Sequence, residues 1–229
     1  MTQEQILEIR QRMLKCRSAD FYDTMDIMGY PNQCMDTRIK PLCGKMKAAG
    51  PAFTMWGMRE PLFGEDLPRP EFDGFVMFDK MYPGCVLVMN AEKDDVVGHW
   101  GEMMSYGARN KGAVGAVIDG STRDKEGILD IDGWSCFARN VTPVESKRRW
   151  RPKALEVPII VSGTLTAHIT VNPGDWIFGD CDGVMVIPKD ILMEVLGNVE
   201  DLTERENLSR KALAEGMLLP DVVKKYGRA

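Results

Sequence analysis

Four consecutive residues, Gly101, Glu102, Met103 and Met104, are followed nineteen positions later by the adjacent pair Arg123 and Asp124. A helix that opens at a glycine leaves its first backbone N–H groups without intrahelical partners, and such a terminus receives an anion. Arginine offers a two-pronged, charge-assisted grip on a carboxylate that lysine does not reproduce. Aspartate offers a hard oxygen to Mg²⁺ or Mn²⁺, ions that keep most of their water when a protein gives them one or two ligands. A small 2-oxo acid needs all three. With its 2-oxo and carboxylate oxygens chelated, breaking the carbon–carbon bond beta to the carbonyl, by retro-aldol cleavage or decarboxylation, leaves an enolate. The cation and Arg123 would stabilise that charge as it forms. A metal-bound water would serve as the base for the substrate hydroxyl, relayed by Glu102 or by a carboxylate from the next subunit.

Each part has a plainer reading. Residues 119–124 could be a strand-end turn carrying a surface pair, and Gly101 an ordinary helix start. A helix and a returning strand would bring the two segments together, and that spacing favours a site. His99, beside Trp100, reads as a packing residue. Asp175, Asp180 and Asp182 belong to P-G-D and D-x-D-G phrases, which are hairpin grammar. The basic run over residues 147–153 reads as a solvated loop, and the sixteen methionines as scattered core filler. No lysine lies within the motif, and Lys111 and Lys125 should stay hydrated, so a Schiff-base mechanism is not expected.

Several elements must position these residues. Apolar Ile6, Ile9 and Met13 predict an amphipathic helix over residues 3–15, and a second helix is expected from Asp20 as N-cap to Met28, stopped by Gly29. Residues 35–43 read as extended and 53–56 as a short strand. Residues 66–73, rich in proline and charge, suggest a rim loop or short helix, and residues 74–80 give no clear pattern. Pro83-Gly84 launches a buried strand over residues 85–90, as Pro173-Gly174 launches one over 176–178. A helix over residues 100–110 closes at Gly112 and feeds a strand over 114–118. Residues 158–161, 167–171 and 184–187 read as further strands, with helix from 188 to 215 and again over 220–226.

At 229 residues and 44% hydrophobic, the chain can bury a full core, and it reads as one domain. Its parts are N-terminal helices over residues 1–30, a core over 31–188 and a C-terminal helical extension over 189–229. The net charge of −5 argues against sequence-independent nucleic-acid binding. There is no membrane-length apolar run and no leader-like apolar stretch in residues 1–12, and the six cysteines form no C-x-x-C pair. A cytoplasmic protein with reduced thiols is expected. Two histidines leave metal binding to carboxylates, hence to magnesium or manganese. Phosphate-loop and dinucleotide fingerprints do not occur, so neither a nucleotide nor pyridoxal phosphate is expected.

The chain resembles the RraA-like group, which includes the divalent-metal-dependent 4-hydroxy-4-methyl-2-oxoglutarate / 4-carboxy-4-hydroxy-2-oxoadipate aldolases. The likeness runs through residues 23–29, similar to D-x-(L/M)-x-x-x-G, and residues 39–54 with their G-x-A-x-T phrase. It continues through residues 101–124 and the P-G-D…D-x-D-G-V-x-V-x-P pattern of 173–188. The resemblance implies a layered α/β/β/α sandwich around a central mixed sheet, with extra N- and C-terminal helices. It implies a homotrimer or homohexamer with sites between subunits, and oxaloacetate decarboxylation beside aldol cleavage. Carried over by position, Gly101, Glu102, Met103 and Met104 would line the pyruvoyl pocket, Arg123 would hold substrate and Asp124 the metal. Glu206 would reach a neighbouring subunit's site. A non-enzymatic branch binds and inhibits a ribonuclease, and typically lacks the aspartate that this chain keeps as Asp124. Departures at residues 147–153 and 66–80, and a longer C-terminal tail, leave the distal half of the substrate open.

Overall fold

The computed structural model describes residues 1–60 and 75–227; the reading of residues 66–73 as a rim loop or short helix lies outside them. In chain order the elements are α1 (Gln3–Met13), α2 (Ser18–Ile27), β1 (Lys40–Pro41), β2 (Ala48–Arg59), α3 (Val76–Lys80), β3 (Val86–Asn90), β4 (Gly98–Trp100), α4 (Glu102–Asn110) and β5 (Gly115–Thr122). Then follow α5 (Lys125–Leu129), β6 (Ser135–Val141), β7 (Trp150–Leu155), β8 (Ile159–Val161), β9 (Ile169–Val171), β10 (Trp176–Gly179), β11 (Val184–Ile187), α6 (Leu192–Ala214) and α7 (Leu219–Tyr226).

Local chemistry sets the ends. Thr2 and Gln5 exchange hydrogen bonds in a capping box that starts α1. The second helix begins two residues before the expected cap: Arg17 is the N-cap, and Asp20 sits at the third helical position, its carboxylate accepting the Arg17 N–H at 3.3 Å. Gly29 follows in the left-handed region at φ +88°, as the stop signal predicted.

Nine strands form one sheet in the order β1-β6-β5-β3-β2-β10-β11, with β4 added on β5 and β7 on β2. Strands β2, β3, β5 and β6 run parallel, as β4 does to β5, while β1, β7, β10 and β11 are antiparallel to their neighbours. A separate ribbon pairs β8 with β9. Side chains alternate between layers with the period of two that a strand imposes. Leu87 and Met89, Ala116 and Ile118, and Cys136 and Ala138 face a core shared with Met77, Ala108 and Ile128 of α3, α4 and α5. Their alternates Val86, Val88, Val117 and Phe137 pack on the opposite face against the β8–β9 ribbon. Trp176, Phe178, Met185 and Ile187 turn outward beneath α1, α2 and α6. The expected mixed α/β layering with added terminal helices is present.

Three expectations are corrected. The strand expected over residues 53–56 is the middle of the twelve-residue β2, because residues 48–51 continue it against β10 and residues 57–59 against β7. Asp119-Gly120 does not turn: β5 runs on to Thr122, since Gly120 lets the backbone pass close to Ala91 and His99. Part of the basic run is strand, for Trp150, Arg151 and Pro152 open β7, leaving only residues 147–149 before it. Strands β4 and β6 and helix α5 had no counterpart in the sequence reading.

A buried ion network pins the strand ends. Arg139, 3% exposed, donates to Asp36 (3.2 Å), Asp119 (3.0 Å) and the Ser162 hydroxyl (3.0 Å). The second oxygen of Asp119 accepts the Ser162 N–H at 2.6 Å. Bonds from the Arg38 guanidinium outweigh burial and hold the Asp36 carboxyl well below the usual range, with Arg139 adding to the effect. Asp94 is also depressed, because Arg59, the Val96 N–H and His99 together outweigh a burial that alone would raise it.

Replacing Arg139 with Ala strands Asp119 without its cation, and urea unfolding is expected to register a loss of about 3–5 kcal/mol. Because Asp36 and Asp94 titrate lower in the folded chain than in the unfolded one, their contribution is complete above about pH 4 and disappears as pH falls below it. Urea midpoints measured from pH 7 to pH 3 should therefore decline at the acid end, less steeply in Asp36→Asn.

Candidate functional site

The parallel pairing of β4 with β5 assembles the site. Gly98 lies opposite Ser121 and Trp100 opposite Thr122, so the loop leaving β5 emerges beside the first turn of α4. Two bonds to one carbonyl fix the junction: the Arg123 N–H and the Thr122 hydroxyl both donate to the Trp100 oxygen, each at 2.8 Å. On the helix side the Trp100 indole N–H donates to Ser105 Oγ at 2.8 Å. The Ser105 hydroxyl and N–H in turn donate to the Gly101 carbonyl, each at 3.0 Å.

Glycine lets these segments touch. A β-carbon added at Gly98 would lie 2.7 Å from Arg123 Cβ, and one at Gly101 would lie 2.6 Å from Asp124 Oδ2. The Glu102 side chain lies across Gly127 of α5. Gly101 is the N-cap of α4 and no side chain caps the helix, so its leading N–H groups depend on solvent or a ligand.

Arg123 and Asp124 face one another, Arg123 Nε donating to Asp124 Oδ1 at 3.2 Å with about a third of each side chain exposed (33% and 38%). A pair so open to water contributes little stability. Asp124 Oδ2 and the terminal nitrogens of Arg123 have no partner among the described residues. Asp124 also stands in the left-handed region, φ +56°, immediately before α5. That conformation is uncommon for a residue with a side chain, although aspartate tolerates it better than most. Among the described residues, concavities of about 690 Å³ between α2 and α6, and of about 610 Å³ beside Tyr82 and Trp176, lie away from this partly exposed pair.

Of the predicted residues, Gly101, Glu102, Arg123 and Asp124 come together. Met104 packs against the core, whereas Met103 is 78% exposed. Glu206 does not join them within one chain, being ion-paired to Arg210 on α6, a helix that packs on α2 and α7. His99 fits the packing reading, with Nδ1 at 3.1 Å from the Ser121 carbonyl, Nε2 at 3.2 Å from Asp94 and the ring edge-on to Trp150. Asp180 is occupied by the Ser18 N–H and hydroxyl, and Asp175 by the N–H groups of Asn172 and Lys189. Structural use of these acids fits, with Asp180 and Asp182 in the β10–β11 hairpin but Asp175 in a turn between strands of different sheets, and Asp180, Cys181 and Asp182 lie close enough to suggest a metal group. Lys111 bonds Asp79 at 3.1 Å and is exposed. Two supports were missed. Ser105 carries no distinguishing pattern, and the Arg139 anchor sits on a strand that the sequence reading did not identify.

Residues 18–186 match the RraA-like family, described as Aldolase/RraA. The chain is 29% identical over 94% of its length to protein DlpA of Legionella pneumophila, and it spans only 33% of that longer protein. It is 28% identical to a Halalkalibacterium halodurans protein named "Putative 4-hydroxy-4-methyl-2-oxoglutarate aldolase", over 80% of each chain. The structure of Streptomyces coelicolor RraAS2, described as an unusual member of the RNase ES inhibitor RraA protein family, superposes with a TM-score of 0.74. That likeness covers 89% of this chain and 97% of the other at 24% identity, and it establishes the fold. The chain belongs to the RraA-like family.

If Asp124 is kept for what it binds and not for stability, Asp124→Gly should leave the urea midpoint unchanged or raise stability by up to about 1 kcal/mol, through relief of the left-handed backbone. A loss larger than that would assign the side chain a structural role.

Proposed function

We propose, with membership of the RraA-like family as the premise, that the chain is a divalent-metal-dependent lyase acting on a 2-oxo acid. Its reaction would be retro-aldol release of pyruvate from a 4-hydroxy-2-oxo diacid, decarboxylation of oxaloacetate or a related 3-oxo acid, or both. The observation that carries this reading is the Asp124 carboxylate lying against the uncapped start of α4 with Arg123 beside it.

The donor set fits a hydrated Mg²⁺ or Mn²⁺. One Asp124 oxygen has no donor among the described residues, the side chain is partly exposed, and a single carboxylate suits an ion that retains most of its aqua ligands. The ion, when bound, supplies Lewis-acid polarisation of the substrate's 2-oxo group. The terminal nitrogens of Arg123 are available to hold the substrate carboxylate, and the N–H groups of Glu102, Met103 and Met104 to receive its oxygen charge. Glu102, resting on Gly127, is close enough to the loop to exchange a proton through water. Exposed Met103 and the open setting support a site that is closed by another subunit of a homotrimer or homohexamer, with Glu206 as a contributor from the neighbour.

Screening 2-oxo and 3-oxo diacids for pyruvate or carbon dioxide release should find activity that EDTA abolishes and Mg²⁺ or Mn²⁺ restores. Asp124→Ala and Arg123→Ala are each expected to lower kcat/KM at least about 100-fold. Turnover that survives both EDTA and Asp124→Ala would reject the mechanism. Borohydride with pyruvate should form no adduct. The RNase-inhibitor description of the Streptomyces neighbour motivates one alternative, a non-catalytic protein-binding regulator. Calorimetry with oxalate separates the two: Mg²⁺-dependent binding favours the lyase, and its absence favours the regulator.

A further inference from the structure

A cavity of about 590 Å³ lies between α1, residues 43–47 and the turn from α5 into β6. This volume lies in the range of small-molecule sites. Leu14, Met46, Ile131 and Trp134 give it an apolar wall, and three cations, Arg10, Lys45 and Lys47, also line it. Asp132 is the single acid in the lining, and it is exposed.

Among the described residues none of the three cations is ion-paired. Arg10 makes no side-chain hydrogen bond or ion pair among the described residues, and its Nε is buried without an acceptor. Arg12, on the same helix, grips Glu200 through two bonds of 2.8 and 2.7 Å. Burial pulls the Arg10 guanidinium below its usual value, and no carboxylate offsets the shift. Lys47 spends its ammonium on the Leu14 and Cys16 carbonyls at the end of α1, which orients the charge without neutralising it. The Trp134 indole N–H, at the same cavity, is likewise buried with no acceptor among the described residues. Both donors belong to residues that line this cavity, and they are two of five buried side-chain N–H groups without an acceptor among the described residues. Local cation excess in a chain of net charge −5 gives the sign of an acceptor that would meet them.

We infer that this cavity is a second binding site, for an organic anion whose carboxylate or phosphate meets Arg10 and Lys47 while its apolar body lies against Trp134, Met46 and Ile131. It is distinct from the site at Asp124. Lys47 precedes β2 and Ser135 opens β6, so the cavity lies at the amino ends of the parallel strands, whereas Arg123 follows the carboxyl end of β5. An eight-residue strand such as β5 separates those ends by about 25 Å.

Calorimetry with phenyl phosphate, phenylacetate and inorganic phosphate tests the site, with tryptophan emission as a second readout. Saturable binding is expected for at least one of the two aromatic anions, tighter than for inorganic phosphate. Arg10→Gln and, as an exposed variant that spares the fold, Lys45→Gln should each weaken it, Arg10→Gln by about tenfold or more. Trp134→Phe should remove the emission change while heat of binding persists, and Arg123→Gln should leave the affinity unchanged. A preference for the phosphate or the carboxylate probe identifies the head group. No saturable heat up to 10 mM of any probe, or affinity that follows Arg123 and ignores both Arg10 and Lys45, would overturn the inference.

Discussion

Close approach of β4 and the start of α4 to Arg123 and Asp124, at Gly98 and Gly101, is the constraint on which the candidate site depends. A side chain at Gly98 would meet Arg123 Cβ and Cγ, and one at Gly101 would displace the Asp124 carboxylate. This contact lets β4 pair with the end of β5, and the pairing delivers a cation and a carboxylate to the first turn of α4. Trp100 serves both sides of the junction, its carbonyl holding the β5 loop and its indole holding the helix through Ser105. Hydrogen bonds to backbone thus fix where the charged side chains start, while the charged ends remain free to bind something else.

Charge is used differently a few residues away. Arg139, Asp119 and Asp36, like Asp94 with His99, are buried and ion-paired, and they tie the ends of β3, β5 and β6 to the loops and the ribbon around them. Removing one partner from such a group leaves an uncompensated charge in a poor solvent. Arg123 and Asp124 sit in water, where their mutual attraction is weak and each is cheap to redirect. A rigid, paired layer beneath an exposed, loosely paired one is what a binding site requires: the support resists deformation, and the reactive groups have unspent capacity. The left-handed backbone at Asp124 belongs to this pattern, since nothing in the packing around it demands a side chain there.

Much of this was legible in the sequence. Helix ends at Gly29 and Gly112, the strands launched from Pro83-Gly84 and Pro173-Gly174, and the meeting of residues 101–104 with 123–124 follow from local rules. The errors share a physical origin. A strand buried on both faces has no alternation to read, so the length of β2 and the continuation of β5 past Asp119-Gly120 were hidden. Turn grammar at Asp119-Gly120 was overridden by a tertiary contact, the space beside Ala91 and His99 that admits only glycine. The Arg139 anchor was invisible for a related reason: its partners Asp36, Asp119 and Ser162 are far apart in sequence, and no spacing rule links them.

The parallel core also explains why two unlike surfaces coexist in one small chain. Parallel strands gather all their carboxyl ends at one edge of the sheet and all their amino ends at the other. Loops at the carboxyl edge carry Arg123, Asp124 and the start of α4. At the amino edge the segments entering β2 and β6 meet α1, and Lys47 donates to the carbonyls of Leu14 and Cys16, just past the end of that helix. Those bonds hold Lys47 at the end of the helix that carries Arg10, and both residues line one cavity, so the packing that seats the N-terminal helix also concentrates positive charge. A segment added outside the family's matched core therefore brings a charged surface of its own, because α1 lies before residue 18, where the family match begins.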